Sequence, residues 1–218
     1  ASGATAAADE LSAALVAAAP AADPIAVAQA VQAMQCAGQP DGEPVSRLVL
    51  IDYSRPSTAP RLWVFDLATR TLSREERVAH GQGSGDNHAT RFSNDPGSHQ
   101  TSLGLFRTRD TYIGRNGYSL RLEGLDPGVN DRAMQRAIVM HGAPYVSEAT
   151  VRQLGRLVLS WGCPAVRADF ARPLIDEIEQ TTYDLSSLLA VVSGGAALSA
   201  GVKSRLLELM PSIIIMDG

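Results

Sequence analysis

The sequence predicts a mainly β fold with flanking helices, and three observations carry that prediction. Short runs of alternating apolar and polar residues, typical of strands, fill the middle of the chain from residue 46 onward. Ala- and Leu-rich stretches typical of helices lie before and after this region. The chain has 218 residues with 45% hydrophobic and 19% charged content, which suits a globular domain with a small appendage.

The first part of the chain is predicted to be helical over residues 7–37. Within it, Asp23 offers an N-cap and Pro24 occupies the first position of the helix that follows, where its fixed φ and missing N–H cost nothing. The Gly- and Pro-rich stretch 38–44 ends this pattern and predicts a linker.

The middle of the chain contains six predicted strands. They span residues 48–53, 61–66, 74–80, 102–107, 118–122 and 137–140. Residues 81–99 form a long polar loop, and a loop of that length inside a domain is often functional. Asn116-Gly117 signals a tight hairpin. The rest of the pattern predicts an amphipathic helix over 169–180, a helix over 202–210 and a last strand over 212–216.

Composition excludes several classes of function. The net charge of −4 and the aromatic content of 5% argue against a nucleic-acid partner. The two cysteines, Cys36 and Cys163, are too few for a disulfide framework or a Cys-rich zinc site, although a single bridge between them stays open. We expect Cys36 to be a small buried residue of a helix.

The loop Ser160-Trp161-Gly162-Cys163-Pro164 carries the chemistry. Cysteine is a strong nucleophile only as thiolate, and a free thiol near pH 7 needs a base. His141 follows an apolar run 22 positions earlier and is a candidate for that base. The glycine beside the cysteine allows backbone N–H groups to face a small anion, as an oxyanion hole requires. From the spacing alone, a buried small Cys163 and a strand-capping His141 stay equally open.

A series of short blocks occurs in a recognisable order. The blocks are IDYSRPS at 51–57, VAHG at 78–81, RFSN at 91–94, SLG at 102–104, YSLRL at 118–122, ND at 130–131, RAIVMHG at 136–142 and SWGCPA at 160–165. The series resembles the murein L,D-transpeptidase catalytic-domain family, in a YkuD-like branch. The resemblance depends on many blocks agreeing in order and extends roughly from residue 48 to residue 178.

The resemblance implies an L,D-transpeptidase-like β-sandwich or barrel. It places the catalytic domain at 45–182, after an N-terminal helical segment and linker at 1–44; the C-terminal segment at 183–218 fits the resemblance poorly, and its placement stays open. The resemblance also implies peptidoglycan stem peptides as partners, and no cofactor is expected. The sequence itself has no apolar run long enough to predict a membrane span. The same resemblance implies export to the periplasm or cell envelope, and a removed export signal accounts for a start at Ala1, as does trimming for expression.

Within the site, the resemblance matches Cys163 to the nucleophile and His141 to the general base. Gly142 is the glycine after the base, and Ser160 and Gly162 form the loop before the nucleophile. The Cys163 thiolate would attack the stem-peptide carbonyl, release the terminal D-alanine, and pass the acyl group from the thioester to an amine. Water as the acceptor, which gives an L,D-carboxypeptidase, stays open, as does a non-catalytic wall-binding module.

The loop departs from the wider family pattern at Trp161, where histidine is usual, and at Ala165, where arginine or asparagine is usual. Substrate contacts must then come from elsewhere. The candidates are His80, Asn94, Trp161, Arg121 and Arg167. For His80 the alternative is that it holds the long loop by hydrogen bonds, and for Arg121 that it is a solvated charge at a strand edge. The histidines near Asp86 match no strong metal-ligand spacing, so no metal site is expected.

Overall fold

The computed structural model describes residues 2–37, 45–179, 190–193, 204 and 214–217. The chain divides into two compact units, Ala1–Glu179 and Gln180–Gly218. The first contains α1 (Ser2–Ala18), α2 (Pro24–Ala37), β1 (Arg47–Ile51), β2 (Leu62–Asp66), β3 (Thr71–Glu76), β4 (Phe106–Gly114), β5 (Gly117–Gly124), β6 (Val139–Ala143), α3 (Glu148–Leu154), β7 (Ala165–Arg167) and α4 (Ala168–Ile178). The second contains β8 (Ala190–Ser193) and β9 (Ile214–Asp217), which pair in parallel.

The N-terminal helical region consists of two helices, and the second begins at Pro24 as the sequence predicts. Asp23 caps α2 as expected, because its Oδ1 accepts a hydrogen bond of 2.7 Å from the N–H of Ile25. Apolar residues of both helices, including Leu15 and Val31, pack with Trp63 and other buried residues of β1 and β2 in one core cluster. The helices therefore cover one face of the first sheet.

The seven strands described for the first unit form two sheets. The first is antiparallel with the strand order β1-β2-β3, and the second has the order β4-β5-β6-β7. In the second sheet only the β6–β7 pair is parallel. One core cluster joins both sheets and α4, and its members include Leu62, Leu120, Met140, Val166 and Leu174. The expectation of a mainly β fold with flanking helices is confirmed, whereas over the described residues the sheets do not form a closed barrel. The sandwich arrangement stays a prediction, as does the division at residues 44 and 182.

Three predicted strands are shifted along the chain. The strand expected at 74–80 is β3 and ends at Glu76; beyond it only Ala79 forms a single bridge, to Ala165. The strand expected at 102–107 begins at Phe106, because Ser102 instead uses its hydroxyl to bind the carbonyl of Ser93 in the loop. The strand expected at 137–140 is β6, which starts two residues later.

Other elements follow the sequence more closely. The hairpin at Asn116 is confirmed, with Gly117 taking a φ of +75° as the tight turn requires. Helix α4 matches the helix predicted over 169–180, and β9 overlaps the strand predicted over 212–216. Helix α3 was not predicted, although Ser147 and Gly155 are its N-cap and left-handed C-cap. The helix predicted over 202–210 lies, except for residue 204, outside the described residues.

Candidate active site

The parallel pairing of β6 with β7 brings the two candidate reactive residues to the same part of the sheet. His141 lies in the interior of β6 rather than at its end, and its register partner in β7 is Ala165. Cys163 precedes that partner by two residues. The backbone N–H of His141 reaches the carbonyl of Pro164 at 3.4 Å. The loop at residues 160–164, called the nucleophile loop below after its candidate nucleophile Cys163, therefore runs alongside the strand that carries the histidine.

The His141 ring is fixed in one tautomer. Its Nδ1 lies 2.9 Å from the carbonyl oxygen of Gly142. A carbonyl only accepts hydrogen bonds, so Nδ1 carries the proton and Nε2 is left with a free lone pair. Only 5% of the residue surface is exposed, and this burial lowers the pKa of His141 below its ordinary 6.5. The imidazole is therefore neutral near pH 7 and able to accept a proton through Nε2.

Gly142 allows α4 to approach β6 closely. A Cβ atom at this position would lie 2.9 Å from the Cβ of Ala171 and 3.0 Å from the Cα of Ala168. Any side chain here would push the helix away from the strand that holds His141. Gly142 is therefore needed so that α4 can pack against the strand that carries His141.

The nucleophile loop is closed by Ser160. Its hydroxyl donates to the carbonyl of Cys163 at 2.6 Å and accepts from the N–H of Gly162 at 3.1 Å. The carbonyl of Ser160 does not orient the histidine, because it accepts from the N–H of Gln82 at 2.8 Å. The hydroxyl instead fixes the turn that presents Cys163. The N–H of Gly162 is used inside the loop, whereas that of Cys163 makes no hydrogen bond to any described residue.

Gly162 lies where the nucleophile loop meets the long polar loop. Its φ is +117°, and a Cβ here would lie 2.9 Å from the carbonyl oxygen of Gln100. The side chain of Thr101 ties the same region together, since its Oγ1 accepts from the N–H of Gly81 and donates to the carbonyl of Gly162. Both the backbone conformation and the contact require glycine at this position.

The Cys163 thiol is half-buried and protonated in the resting state. Its Sγ lies 3.8 Å from the carbonyl oxygen of Ala137, to which the S–H donates. Burial raises the pKa of the Cys163 thiol, while a hydrogen bond from the N–H of Val139 and the positive charge of Arg136 oppose that rise. Across the described residues no hydrogen bond links the thiol to His141. The site therefore holds a neutral thiol and a neutral imidazole rather than a preformed ion pair.

Arg136 is a site residue that sequence reasoning missed. Its guanidinium donates to the carbonyls of Ser93 and Gln100 and to the hydroxyls of Ser98 and Ser102. It thereby fastens the long loop beside the nucleophile. The RAIVMHG block contains this arginine, but nothing local in the sequence shows that it reaches a loop more than 30 positions away.

His80 is part of the core rather than of an exposed surface. Its Nδ1 accepts from Nη2 of the buried Arg61 at 2.7 Å, and its Nε2 donates to the carbonyl of Gly85 at 3.3 Å. Burial, followed by the nearby Arg61 charge, lowers the pKa of His80 to about 4. Of the two roles the sequence left open, these contacts favour holding the long loop.

The remaining predicted substrate residues do not gather at one place. Arg121 pairs with Asp110 at 3.0 Å, and Arg167 pairs with Glu76 at 2.7 Å. The Asn94 side chain bridges two residues of the turn that follows β5: it donates to Asp131 and accepts from the N–H of Arg132.

Trp161 is 70% exposed, and its ring stacks on that of His99 with centroids 4.9 Å apart and planes 9° apart. It lines an open cavity of about 300 Å³ beside the nucleophile loop. Trp161 lies two residues before Cys163. Of the five predicted substrate residues, it is the one that lines this cavity.

The two cysteines are not bonded to each other, and Cys36 is exposed near the end of α2, which corrects the expectation that it is buried. In the described part of the chain, no group of three or more His, Cys, Asp or Glu side chains is arranged to hold a metal ion.

Curated relatives match only a short stretch of the chain. The medium-chain acyl-CoA ligase Mig of Mycobacterium avium is 48% identical over 48 residues, which is 22% of this chain and 9% of the ligase. A medium/long-chain-fatty-acid–CoA/3-oxocholest-4-en-26-oate–CoA ligase of Mycobacterium tuberculosis is 46% identical over 48 residues, with the same coverage of both chains. The chain thus spans about a tenth of the length of these relatives. No solved structure matches it.

A family model gives a far longer match. The model, described as the L,D-transpeptidase catalytic domain, matches residues 18–185, which include both sheets, His141 and the Cys163 loop. This match confirms the resemblance drawn from the ordered sequence blocks. The chain belongs to the L,D-transpeptidase catalytic-domain family.

Proposed function

We propose that the protein is a cysteine acyl-transferase that acts as an L,D-transpeptidase on peptidoglycan stem peptides. The observation that carries this proposal is the β6–β7 pairing, which sets the Cys163 loop beside His141 with Nε2 of the imidazole free to accept a proton. Family membership supplies the substrate class. The same membership supports a place in the cell envelope; among the described residues, no helix combines the length and the apolar character that crossing a membrane requires.

In the first half-reaction the sulfur of Cys163 attacks the carbonyl carbon of the third stem residue. The thiol proton passes to Nε2 of His141 as the S–C bond forms. The C–N bond then breaks, and the imidazolium returns the proton to the departing amine of the terminal residue. The N–H of Cys163, which makes no hydrogen bond within the described part of the chain, is the backbone donor available to the oxyanion that forms on the carbonyl oxygen.

In the second half-reaction an amine of another stem peptide attacks the thioester. His141 accepts a proton from this amine, the new amide bond forms, and the sulfur leaves and is reprotonated. Water in place of the amine gives the L,D-carboxypeptidase reaction with the same residues. The ratio of cross-linked to hydrolysed product measures which acceptor the site uses.

Intact-mass spectrometry with a tetrapeptide donor tests the proposal. We expect the wild-type protein to gain the mass of the donor minus its terminal residue, and a carbapenem to add covalently to Cys163. The Cys163→Ala variant should fold normally and show neither adduct, whereas Cys36→Ala, the matched control at the exposed cysteine, should behave as wild type. Turnover by folded Cys163→Ala, or adducts on Cys36 alone, would contradict the assignment of the nucleophile.

A further inference from the structure

The cavity beside the nucleophile loop has a positively charged wall and no acidic one. Its lining consists of Pro96, Gly97, His99, Gln135, Arg136 and Trp161, none of which carries a carboxylate. Arg136 makes its hydrogen bonds to two carbonyls and two hydroxyls, and within the described residues no carboxylate lies within ion-pair distance of it. Neutral acceptors hold the guanidinium in place, and the carboxylate of Asp95, which is paired with Arg132, acts on it only from beyond ion-pair distance. With no direct ion pair to neutralise Arg136, the cavity attracts an anion.

This charge lies next to the reacting sulfur. A Cβ on Gly162 would be 3.4 Å from Nη2 of Arg136, and the charge of Arg136 lowers the pKa of the Cys163 thiol. In a peptide whose scissile bond is the last one, the free carboxylate lies only about 4 Å from the scissile carbonyl carbon, by standard bond lengths. A subsite for that carboxylate must therefore adjoin the nucleophile loop, as this cavity does.

The aromatic wall of the cavity is held rigidly. His99 has a φ of +52°, a conformation that a residue with a side chain rarely adopts, and its Nδ1 pairs with Nε2 of Gln82 at 2.9 Å. The imidazole is thereby kept flat against the indole of Trp161. An ordered and exposed aromatic pair gives the planar amide of a peptide a surface to pack on, at little cost in side-chain entropy.

We propose that this cavity binds the free carboxylate of the residue that leaves during acylation, with Arg136 as the residue that selects donors ending at that residue. The proposal rests on the proposed function and deepens it. The positive charge is that of Arg136, in the turn before β6. Arg167, which the sequence offered as a substrate contact, is instead paired with Glu76.

The test compares two donors that differ only at the C-terminus: a tetrapeptide stem with a free carboxylate and the same peptide as its carboxamide. For the wild-type protein we expect acylation of Cys163, followed by intact mass, to have a kcat/KM about tenfold to a hundredfold higher for the acid. Arg136→Gln should bring the ratio close to one, and Arg136→Lys should keep part of it. Arg152→Gln removes an equal charge from an exposed position of α3, outside the cavity lining, and should leave the ratio unchanged.

The ratio of the two kcat/KM values separates recognition of the carboxylate from a structural effect of the substitution. A displaced loop would slow acylation by both donors alike and leave the ratio unchanged. A wild-type ratio near one overturns the proposal even if Arg136→Gln fails to fold, and so does an undiminished ratio in folded Arg136→Gln. Absence of any Cys163 acylation with either donor would instead refute the proposed function.

Discussion

Replacement of Gly162 by alanine is expected to destabilise the protein and to displace the nucleophile. The new Cβ would lie 2.9 Å from the carbonyl oxygen of Gln100 and 3.2 Å from Cδ1 of Ile138. The carbonyl of Gln100 cannot yield freely, because Nη2 of Arg136 is hydrogen-bonded to it. Two costs therefore combine: a φ of +117° that a non-glycine residue rarely adopts, and an overlap with backbone that other contacts hold in place.

Gly128→Ala separates these two costs. Gly128 also has a positive φ, +76°, but a Cβ there would meet nothing within 4 Å. We expect Gly128→Ala to lose about 1–2 kcal/mol from backbone conformation alone. Gly162→Ala should lose a similar amount plus about 1–3 kcal/mol for the overlap. For a unit of this size the additional loss corresponds to a Tm about 2–12 °C lower than that of the control.

Calorimetry of the two variants measures the difference, and alkylation of Cys163 by iodoacetamide at pH 7 reports on the nucleophile. We expect the alkylation rate to change in Gly162→Ala and to stay at the wild-type value in Gly128→Ala. Equal Tm values for the two variants, together with unchanged alkylation, would refute the claim that the long loop is packed against Gly162.

Two further predictions concern the histidines. His141→Ala should slow alkylation of Cys163 at pH 7 by about tenfold or more, since proton acceptance by a positioned base contributes at least that much. Replacement of the exposed His88 by alanine is the control. An equal alkylation rate in both variants would argue against a base at His141. His80 and His141 are neutral in the fold with lowered pKa values, so unfolding takes up protons below about pH 6.5. The free energy of unfolding should therefore fall as the pH decreases from 6.5 to 5, where carboxylates stay ionised, and denaturant titrations with no such slope would contradict the buried neutral state.

The sequence was informative where local pattern decides structure. Apolar residues are nearly continuous in both β1 and β2. The start of α2 is set by a local capping interaction of Asp23 just before Pro24. By contrast, much of β4 is polar and partly exposed, so its hydrophobic pattern is weak and only its first residues fell within a predicted strand. Helix α3 is seven residues long and has no fully buried residue; only Val151 packs against a core cluster, so its apolar pattern is weak.

The candidate site shows the same division. Cys163 and His141 could be chosen as candidates because the chemistry restricts which side chains qualify and because the surrounding blocks keep their order. Arg136 was missed, since its role arises from contacts with residues 34 to 43 positions earlier in the chain. His80 illustrates the converse, because its residue type suggested a cleft while its partner Arg61, buried 19 positions away, places it in the core.

Backbone strain concentrates around the nucleophile. Among the described residues, three non-glycine positions have positive φ: Arg70, His99 and Ala137. Arg70 lies in the turn between β2 and β3, but Ala137 turns its carbonyl towards Sγ of Cys163, and His99 stacks on Trp161. Such conformations cost on the order of 1–3 kcal/mol each and persist only where surrounding contacts impose them. Two of the three therefore hold groups of the nucleophile loop in place. The strain at these two positions lowers the stability of the fold, and the surrounding contacts that impose it keep the thiol and its neighbouring cavity in a fixed arrangement.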